Sequence, residues 1–321
     1  MIHIKKTITV SIIFLFFFTP LFSFESGVDF NEEDFLIDIL WRKIEKLDSG
    51  KRPKVALVLG GGGARGIAHI GVLRAISKEC IPVDLVVGTS VGSLVGAFYC
   101  AQVPIEKVCN LAEQFTIGTF SNINYISMFD MLFMDNLFSN QKLEKYMNDI
   151  IGNIGFEELK IPLICVATDL NTGEKILLRE GSVAFAARAS STIPGIFKPV
   201  EYKQRYLIDG GLTENIPVSV AKIFNCDVII AVSVAVDITK NNISTPIEIL
   251  MQAIYIQGRM FDEYNLDLAD IVIRPEVGYL SVLDFKNASC CINKGFIAAK
   301  RVIKDIKKII INKTEEKYLL E

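Results

Sequence analysis

Histidine is nearly missing from this chain of 321 residues: there are two, His3 and His69. His3 lies in an apolar N-terminal stretch that reads as removable, so any chemistry needing an imidazole falls to His69. One histidine and scattered cysteines do not assemble a common zinc site, so no metal is expected. Among the seven cysteines there is no Cys-x-x-Cys, and an odd number cannot pair completely, which argues against a redox motif and a full disulfide framework. Cys100, Cys109 and Cys165 sit in apolar segments and read as small core residues, whereas adjacent Cys290 and Cys291 have no assigned role. A basic excess is also lacking: 34 Lys and Arg stand against 37 Asp and Glu, a net charge of −3, and no nucleic-acid partner is expected. No Gly-Lys-Ser/Thr follows the single glycine run, which excludes a P-loop, and no internal repeat is visible. What remains, 50% hydrophobic and 22% charged, is a folded chain with one large core or two modest ones.

The N-terminus carries Lys5 and Lys6, then an uncharged run over 7–24 that Pro20 interrupts. That is the pattern of a secretory signal peptide, with Ser23 as the small residue before a cut, and it places the protein outside the cytosol: periplasmic, secreted or membrane-associated. The run is at the short edge of what spans a bilayer, so a retained anchor is the competing reading. Residues 1–24 are therefore read as leader, 25–53 as an N-terminal extension holding the single tryptophan, Trp41, and 54–321 as one domain.

That domain alternates in an α/β manner: strand 54–59, glycine loop, helix 66–78, strand 83–87, tight turn, helix 91–101. Its strands are continuous apolar runs, as in a mainly parallel central sheet sandwiched by helices. A strand pair at 161–169 and 174–178 surrounds Asn171-Thr172-Gly173, small residues build a helix over 182–191, and another buried strand covers 227–234. Helices at 140–151, 246–264 and 292–311 complete the pattern, and 116–138, rich in Phe, Met, Asn and Ile, reads as a lid. The last helix sets Phe296, Ala299, Ile303, Ile306 and Ile310 on one stripe, with Lys300, Lys304, Lys307 and Lys308 elsewhere; it is read as a closing helix with a solvated basic back, and peripheral membrane contact as the minority alternative.

Three features carry chemistry. Gly88-Thr89-Ser90-Val91-Gly92 follows an apolar strand and opens a helix, the layout of a nucleophile elbow, in which side chains at the two glycine positions would crowd the backbone. If Ser90 is a nucleophile, its base is His69, on the upstream side where an α/β-hydrolase triad does not put it, or a group other than histidine, a carboxylate being the obvious candidate. The run Gly60-Gly61-Gly62-Gly63-Ala64-Arg65-Gly66 lies between the first strand and a helix. Its amides suit an oxyanion hole, or, since Gly61-x-Gly63-x-x-Gly66 satisfies the dinucleotide fingerprint, a pyrophosphate. The dinucleotide reading lacks its ribose acid, because Asp84 begins the second strand and the elbow ends it. Third, Tyr206-Leu207-Ile208 leads into Asp209-Gly210-Gly211; this is a turn on propensity alone, yet it also places a carboxylate at a strand end. Arg65 reads as a brace of the glycine loop, His69 as a helix residue of structural use, and Ser190 and Ser191 have no motif to support them as nucleophiles.

Together, Gly61-Gly62-Gly63-Ala64-Arg65-Gly66, Gly88-Thr89-Ser90-Val91-Gly92 and Asp209-Gly210-Gly211, in that order, resemble the patatin-like phospholipases, as does the block from Ala186 to Pro199. The resemblance covers 54–218. It implies a serine–aspartate dyad on an α/β sheet, with Ser90 as nucleophile, Asp209 as base, the loop Gly61, Gly62 and Gly63 as oxyanion donors, and Arg65, Gly66, Gly88, Gly92, Gly210 and Gly211 as motif support. It further implies a cofactor-free phospholipase A or lysophospholipase-like esterase acting on lipid acyl esters through an acyl-enzyme. Two departures are visible: Gly60 stands where some members carry an acid, and the last motif is Asp-Gly-Gly rather than Asp-Gly-Ala. A dinucleotide-binding protein and a non-catalytic lipid-binding protein of the same fold are the alternatives. For the leader, N-terminal sequencing of protein from the native cell is expected to read a mature start between about residues 23 and 26; an intact Met1 in a membrane fraction would favour the anchor.

Overall fold

The computed structural model describes residues 31–115, 139–239, 246–282 and 284–319. The expected leader, 1–24, and the expected lid, 116–138, lie outside them. The chain divides into two units, 1–38 and 39–321, with the boundary inside helix α1 (Glu32–Ile44). Of the first unit, 31–38 is described, and it opens that helix with three acids, Glu32, Glu33 and Asp34, at the positive end of the helix dipole. Everything below belongs to the second unit.

Strands β1 (Val55–Leu59), β2 (Leu85–Thr89), β3 (Leu163–Asp169) and β7 (Val228–Val232) are buried along their whole length, which is why they read as unbroken apolar runs. The remaining strands are β4 (Lys175–Leu178), β5 (Val200–Tyr202), β6 (Arg205–Asp209) and β8 (Ile271–Ile273). The order is β5-β6-β3-β2-β1-β7-β8, with β4 also on β3. The centre from β3 to β8 is parallel, and the margin of β4, β5 and β6 is antiparallel. The sheet is mixed, with its parallel part where the sequence predicts it. The hairpin β5–β6 turns through Lys203 and Gln204, both at positive φ, with no glycine or asparagine to announce it.

Helices α2 (Ala68–Lys78), α3 (Val91–Cys100), α4 (Ile105–Gln114), α5 (Gln141–Ile151), α6 (Val183–Ser190), α7 (Gly211–Glu214), α8 (Val218–Ile223), α9 (Pro246–Leu266) and α10 (Ala288–Leu319) accompany the sheet. One core joins Ala56, Val58, Val87, Ile164 and Ile229 of the sheet to Ile216, Val218 and Val220 around α8. None of the helices among the described residues is long and apolar enough to cross a membrane. All seven cysteines are free; Cys100, Cys109, Cys165, Cys226 and Cys291 are buried, and Cys80 and Cys290 are exposed.

The closing helix α10 buries Ala299, Ile303, Ile306 and Ile310, so the predicted stripe is core. Its lysines are not merely a solvated back: Lys300 and Lys307 both reach Glu79, at 2.5 and 2.8 Å, and hold that carboxyl down at about 2. Lys307 also lies 5.5 Å from the centre of the Trp41 ring, whose Nε1 donates to the Glu79 carbonyl. Helices α2 and α10 meet backbone to backbone at Gly71 and Gly295: a Cβ on Gly71 would overlap the Ile292 carbonyl oxygen, and one on Gly295 the Ala68 carbonyl. Gly71→Ala is therefore expected to lower stability in urea unfolding by about 1–3 kcal/mol, even though alanine in an open helix would gain about 1 kcal/mol. A stabilised variant would contradict the close crossing.

Candidate active site

Register brings the site together. Along β3, Val166 pairs with Thr89 of β2 and the next residue, Ala167, pairs with Asp209 of β6. Both Val166 and Ala167 also pair with β4, so β2 and β6 share the other edge of β3 and meet there end to end. Ser90 and Asp209 are carried into one place by two strands running in opposite senses.

Ser90 is buried at the start of α3 with φ 54° and ψ −126°, a left-handed backbone that costs a non-glycine residue about 1–3 kcal/mol. The turn is held by Ser93 N–H donating to the Ser90 carbonyl at 2.8 Å, and by Ser90 N–H donating to the Ser190 hydroxyl at 2.9 Å. Its flanking glycines serve close approach: a Cβ on Gly92 would overlap the Leu59 carbonyl, and one on Gly88 would lie 2.6 Å from the Ser93 nitrogen. The hydroxyl of Ser90 is near enough to Asp209 to favour the charged form of its carboxyl.

Asp209 is buried at the carboxyl end of β6, with its Oδ1 accepting the Gly211 amide at 2.8 Å. Burial drives its carboxyl up to about 6, against the opposing pull of the Ser90 hydroxyl and the Gly211 amide. Gly210 permits the chain to pass the Val166 carbonyl, which a Cβ would overlap. Thr168 fixes the same turn by donating to the Asp209 carbonyl at 3.0 Å.

The glycine loop lies beside Ser90: a Cβ on Gly61 would be 3.2 Å from that of Ser90. The Gly61 amide, expected among the oxyanion donors, is engaged, since it donates to the Asn215 carbonyl at 3.0 Å. Among the described residues the amides of Gly62 and Gly63 donate to no protein group. Gly63 has φ +56° and faces the Val282 carbonyl, so a side chain there is both strained and obstructed. Arg65 is buried and braces the loop, its Nε donating to the Val234 carbonyl and its Nη1 to that of Leu280, each at 3.1 Å, with Tyr255 a further partner. A Cβ on Gly66 would strike Val91, the residue after Ser90. Asn215, which the sequence did not single out, links the loop to α9 by donating to Asp262 at 3.0 Å; Asp262 is pushed by burial to about 6. Its only sequence signal was that it follows the Asp209 motif.

His69 is fully buried, with Nε2 2.8 Å from the Gly60 carbonyl, and burial lowers it to about 4. Nε2 therefore carries the proton and donates, while Nδ1 has no partner. It supports the loop and is not joined to Ser90. Asp84 lies at the opposite end of β2 from the elbow, paired with Arg52 at 2.6 and 2.9 Å and accepting Val55 N–H, and so is placed for no ribose. Among the described residues no group of three or more His, Cys, Asp or Glu side chains is placed to hold a metal ion.

A buried serine on a strand–turn–helix elbow, with an aspartate at the adjoining strand end and a glycine loop beside it, is thus built on an α/β sheet. The family model described as Patatin-like phospholipase matches residues 57–222, over half of the chain, and the chain belongs to that family. It is 34% identical over 181 residues to an uncharacterized NTE family protein of Mycobacterium tuberculosis, covering 56% of this chain and 49% of that one. It is also 34% identical over 183 residues to neuropathy target esterase sws of Drosophila melanogaster, covering 56% of this chain and 13% of that protein. The chain thus spans about half the length of the first and a small part of the second. Among solved structures, VipD from Legionella pneumophila superposes with TM-score 0.48 at 13% identity, over 79% of this chain and 67% of that one. Human GIVD cytosolic phospholipase A2 gives 0.46 at 11% identity, over 87% and 64%.

His69→Gln is expected to cost about 1–3 kcal/mol at pH 7, because it disturbs a buried hydrogen bond, while turnover per folded molecule persists. In the unfolded chain His69 titrates near 6.5, in the folded chain near 4, so the unfolded state binds more protons between the two and the histidine's contribution is lost as pH falls through that window. Urea unfolding should find the gap between wild type and variant shrinking from pH 6.5 to 4; a constant gap, or a folded but inactive variant, would contradict the structural role.

Proposed function

We propose that this protein is a serine acyl hydrolase that cleaves carboxylic esters of lipids, of the phospholipase A or lysophospholipase kind, through a Ser90–Asp209 dyad. The observation that carries this is the meeting of Ser90 and Asp209 at the adjoining ends of β2 and β6, where the Ser90 hydroxyl favours the charged carboxylate, while His69 bonds to Gly60 instead. With an ionisation near 6, Asp209 is mostly charged at neutral pH and still takes a proton more readily than an ordinary carboxylate. As Ser90 Oγ attacks the ester carbonyl carbon, its proton passes to Asp209. The carbonyl oxygen becomes an alkoxide, for which the amides of Gly62 and Gly63, unengaged among the described residues, and the N-terminus of α3 are the donors we propose. Collapse returns the proton from Asp209 to the departing alcohol and leaves the acyl group on Ser90. Water then repeats the sequence, giving up its proton to Asp209 as it attacks, and the fatty acid leaves.

A lipid substrate is supported by family membership and by Leu212, exposed beside the Asp209 turn. No cofactor enters this chemistry. Ser90→Ala and Asp209→Asn should each lower turnover of a phospholipid or lysophospholipid ester by at least about 10³-fold. Each should leave thermal unfolding within a few degrees of wild type. Substantial turnover by a folded Asp209→Asn protein would overturn the dyad, and by Ser90→Ala the nucleophile.

A further inference from the structure

Ser190 is the last residue of α6, fully buried, and its hydroxyl touches three partners. It lies 2.6 Å from the Val166 carbonyl, to which it donates, 2.9 Å from the Ser90 amide, which donates to it, and 2.8 Å from the Ser93 hydroxyl. A serine hydroxyl has one proton and two lone pairs. With its proton committed to Val166, the pairs accept from Ser90 N–H and from Ser93 O–H, and the group is saturated.

The place of that hydroxyl is unusual. The ladder between β2 and β3 includes Val86 N–H donating to the Pro162 carbonyl at 2.9 Å. In this parallel register every second β2 amide meets every second β3 carbonyl, so Ser90 N–H and the Val166 carbonyl are the partners of a rung four residues further on. The Ser190 hydroxyl stands between these two groups, and β2 leaves the sheet at that point. The same residue also holds the other strand end: its carbonyl accepts Gly210 N–H at 3.4 Å, and Thr192, two residues on, accepts Asp209 N–H at 2.8 Å.

We propose that Ser190 is a positioning residue that sets the separation of Ser90 and Asp209, through a hydroxyl inserted into the last rung beside Ser90 and a carbonyl bound to the amide after Asp209. The inference rests on the dyad reading above. Neither Ser90 nor Asp209 is fixed in this direction by its own strand, since each strand ends there. Losing the hydroxyl frees the Ser90 amide to close toward Val166 and turns the elbow, and a displacement of about 1 Å in a reacting group costs about 10²-fold in rate. All the hydroxyl's contacts are to groups of the protein itself, so its loss is expected to act on rate rather than on binding.

The experiment compares Ser190→Ala, Ser190→Cys and Ser191→Ala in the full chain. Ser191 is the matched control, a buried neighbour whose hydroxyl, among the described residues, bonds the Ala187 carbonyl of the same segment, at 2.9 Å. Rates are expressed per folded molecule, with an acyl-ester substrate and with a fluorophosphonate that labels Ser90. Ser190→Ala is expected to lower kcat and the labelling rate by about 10²-fold with KM within threefold of wild type, and Ser191→Ala to alter stability but neither rate. If Ser190→Ala keeps kcat within threefold of Ser191→Ala, the proposal is overturned. Should Ser190→Ala fail to fold, Ser190→Cys decides, because a thiol fills the space but accepts weakly: a fall in kcat of tenfold or more supports the proposal and a wild-type kcat overturns it. Inactive Ser90→Ala and Asp209→Asn alongside an unimpaired Ser190→Ala would sink only the positioning role; active dyad variants would sink the dyad itself.

Discussion

The site depends on one edge of one strand. Because Val166 and Ala167 of β3 pair in turn with Thr89 and Asp209, a parallel strand and an antiparallel strand end against each other. A slip of one residue in either pairing would move a reacting group to the other face of the sheet. Several local features follow from that junction. The two strands must leave the sheet within one residue of each other, so the chain needs glycine at Gly88, Gly92 and Gly210, where a Cβ would overlap neighbouring backbone. It also strains Ser90 into a positive φ, and hydrogen bonds from α3 and α6 hold it there.

Burial does the rest of the chemistry. A carboxylate taken out of water loses hydration, and the Ser90 hydroxyl and Gly211 amide offset only part of it, so the proton affinity of Asp209 rises, as the proposed dyad requires. The same dryness acts oppositely on His69, which stays neutral and serves as a donor to the glycine loop. Behind the loop, Asn215 ties Gly61 to Asp262, which fixes one amide of the run, while the next two have no partner among the described residues. A loop of four glycines is thereby held by neighbours on β7, α9 and the segment after β8 rather than by its own side chains.

How much of this was legible in the sequence differs by element, for physical reasons. The buried strands and the helices α2, α3, α5, α6 and α10 were readable because apolar runs and helical stripes report burial directly. Strand β2 was placed two residues early, since Val83 is as apolar as the residues it precedes and only pairing with β1 and β3 fixes the ends. The hairpin β5–β6 escaped notice because its turn uses Lys203 and Gln204 at positive φ. Ser90, Asp209 and the glycine loop stood out as motifs, but which loop amides are open depends on Asn215, a contact between distant residues that no spacing rule encodes. Ser190 was visible only as a small helix residue, and its hydroxyl matters through partners 24 and 100 positions away.

The most direct test of the dyad is the pH dependence of fluorophosphonate labelling, with the modified residue mapped by mass spectrometry. A label on Ser90 is expected, with a rate that is level above about pH 6 and falls tenfold per unit below it, as Asp209 takes up its proton. A label on another residue, or a rate on Ser90 that passes through pH 6 unchanged, would contradict the dyad.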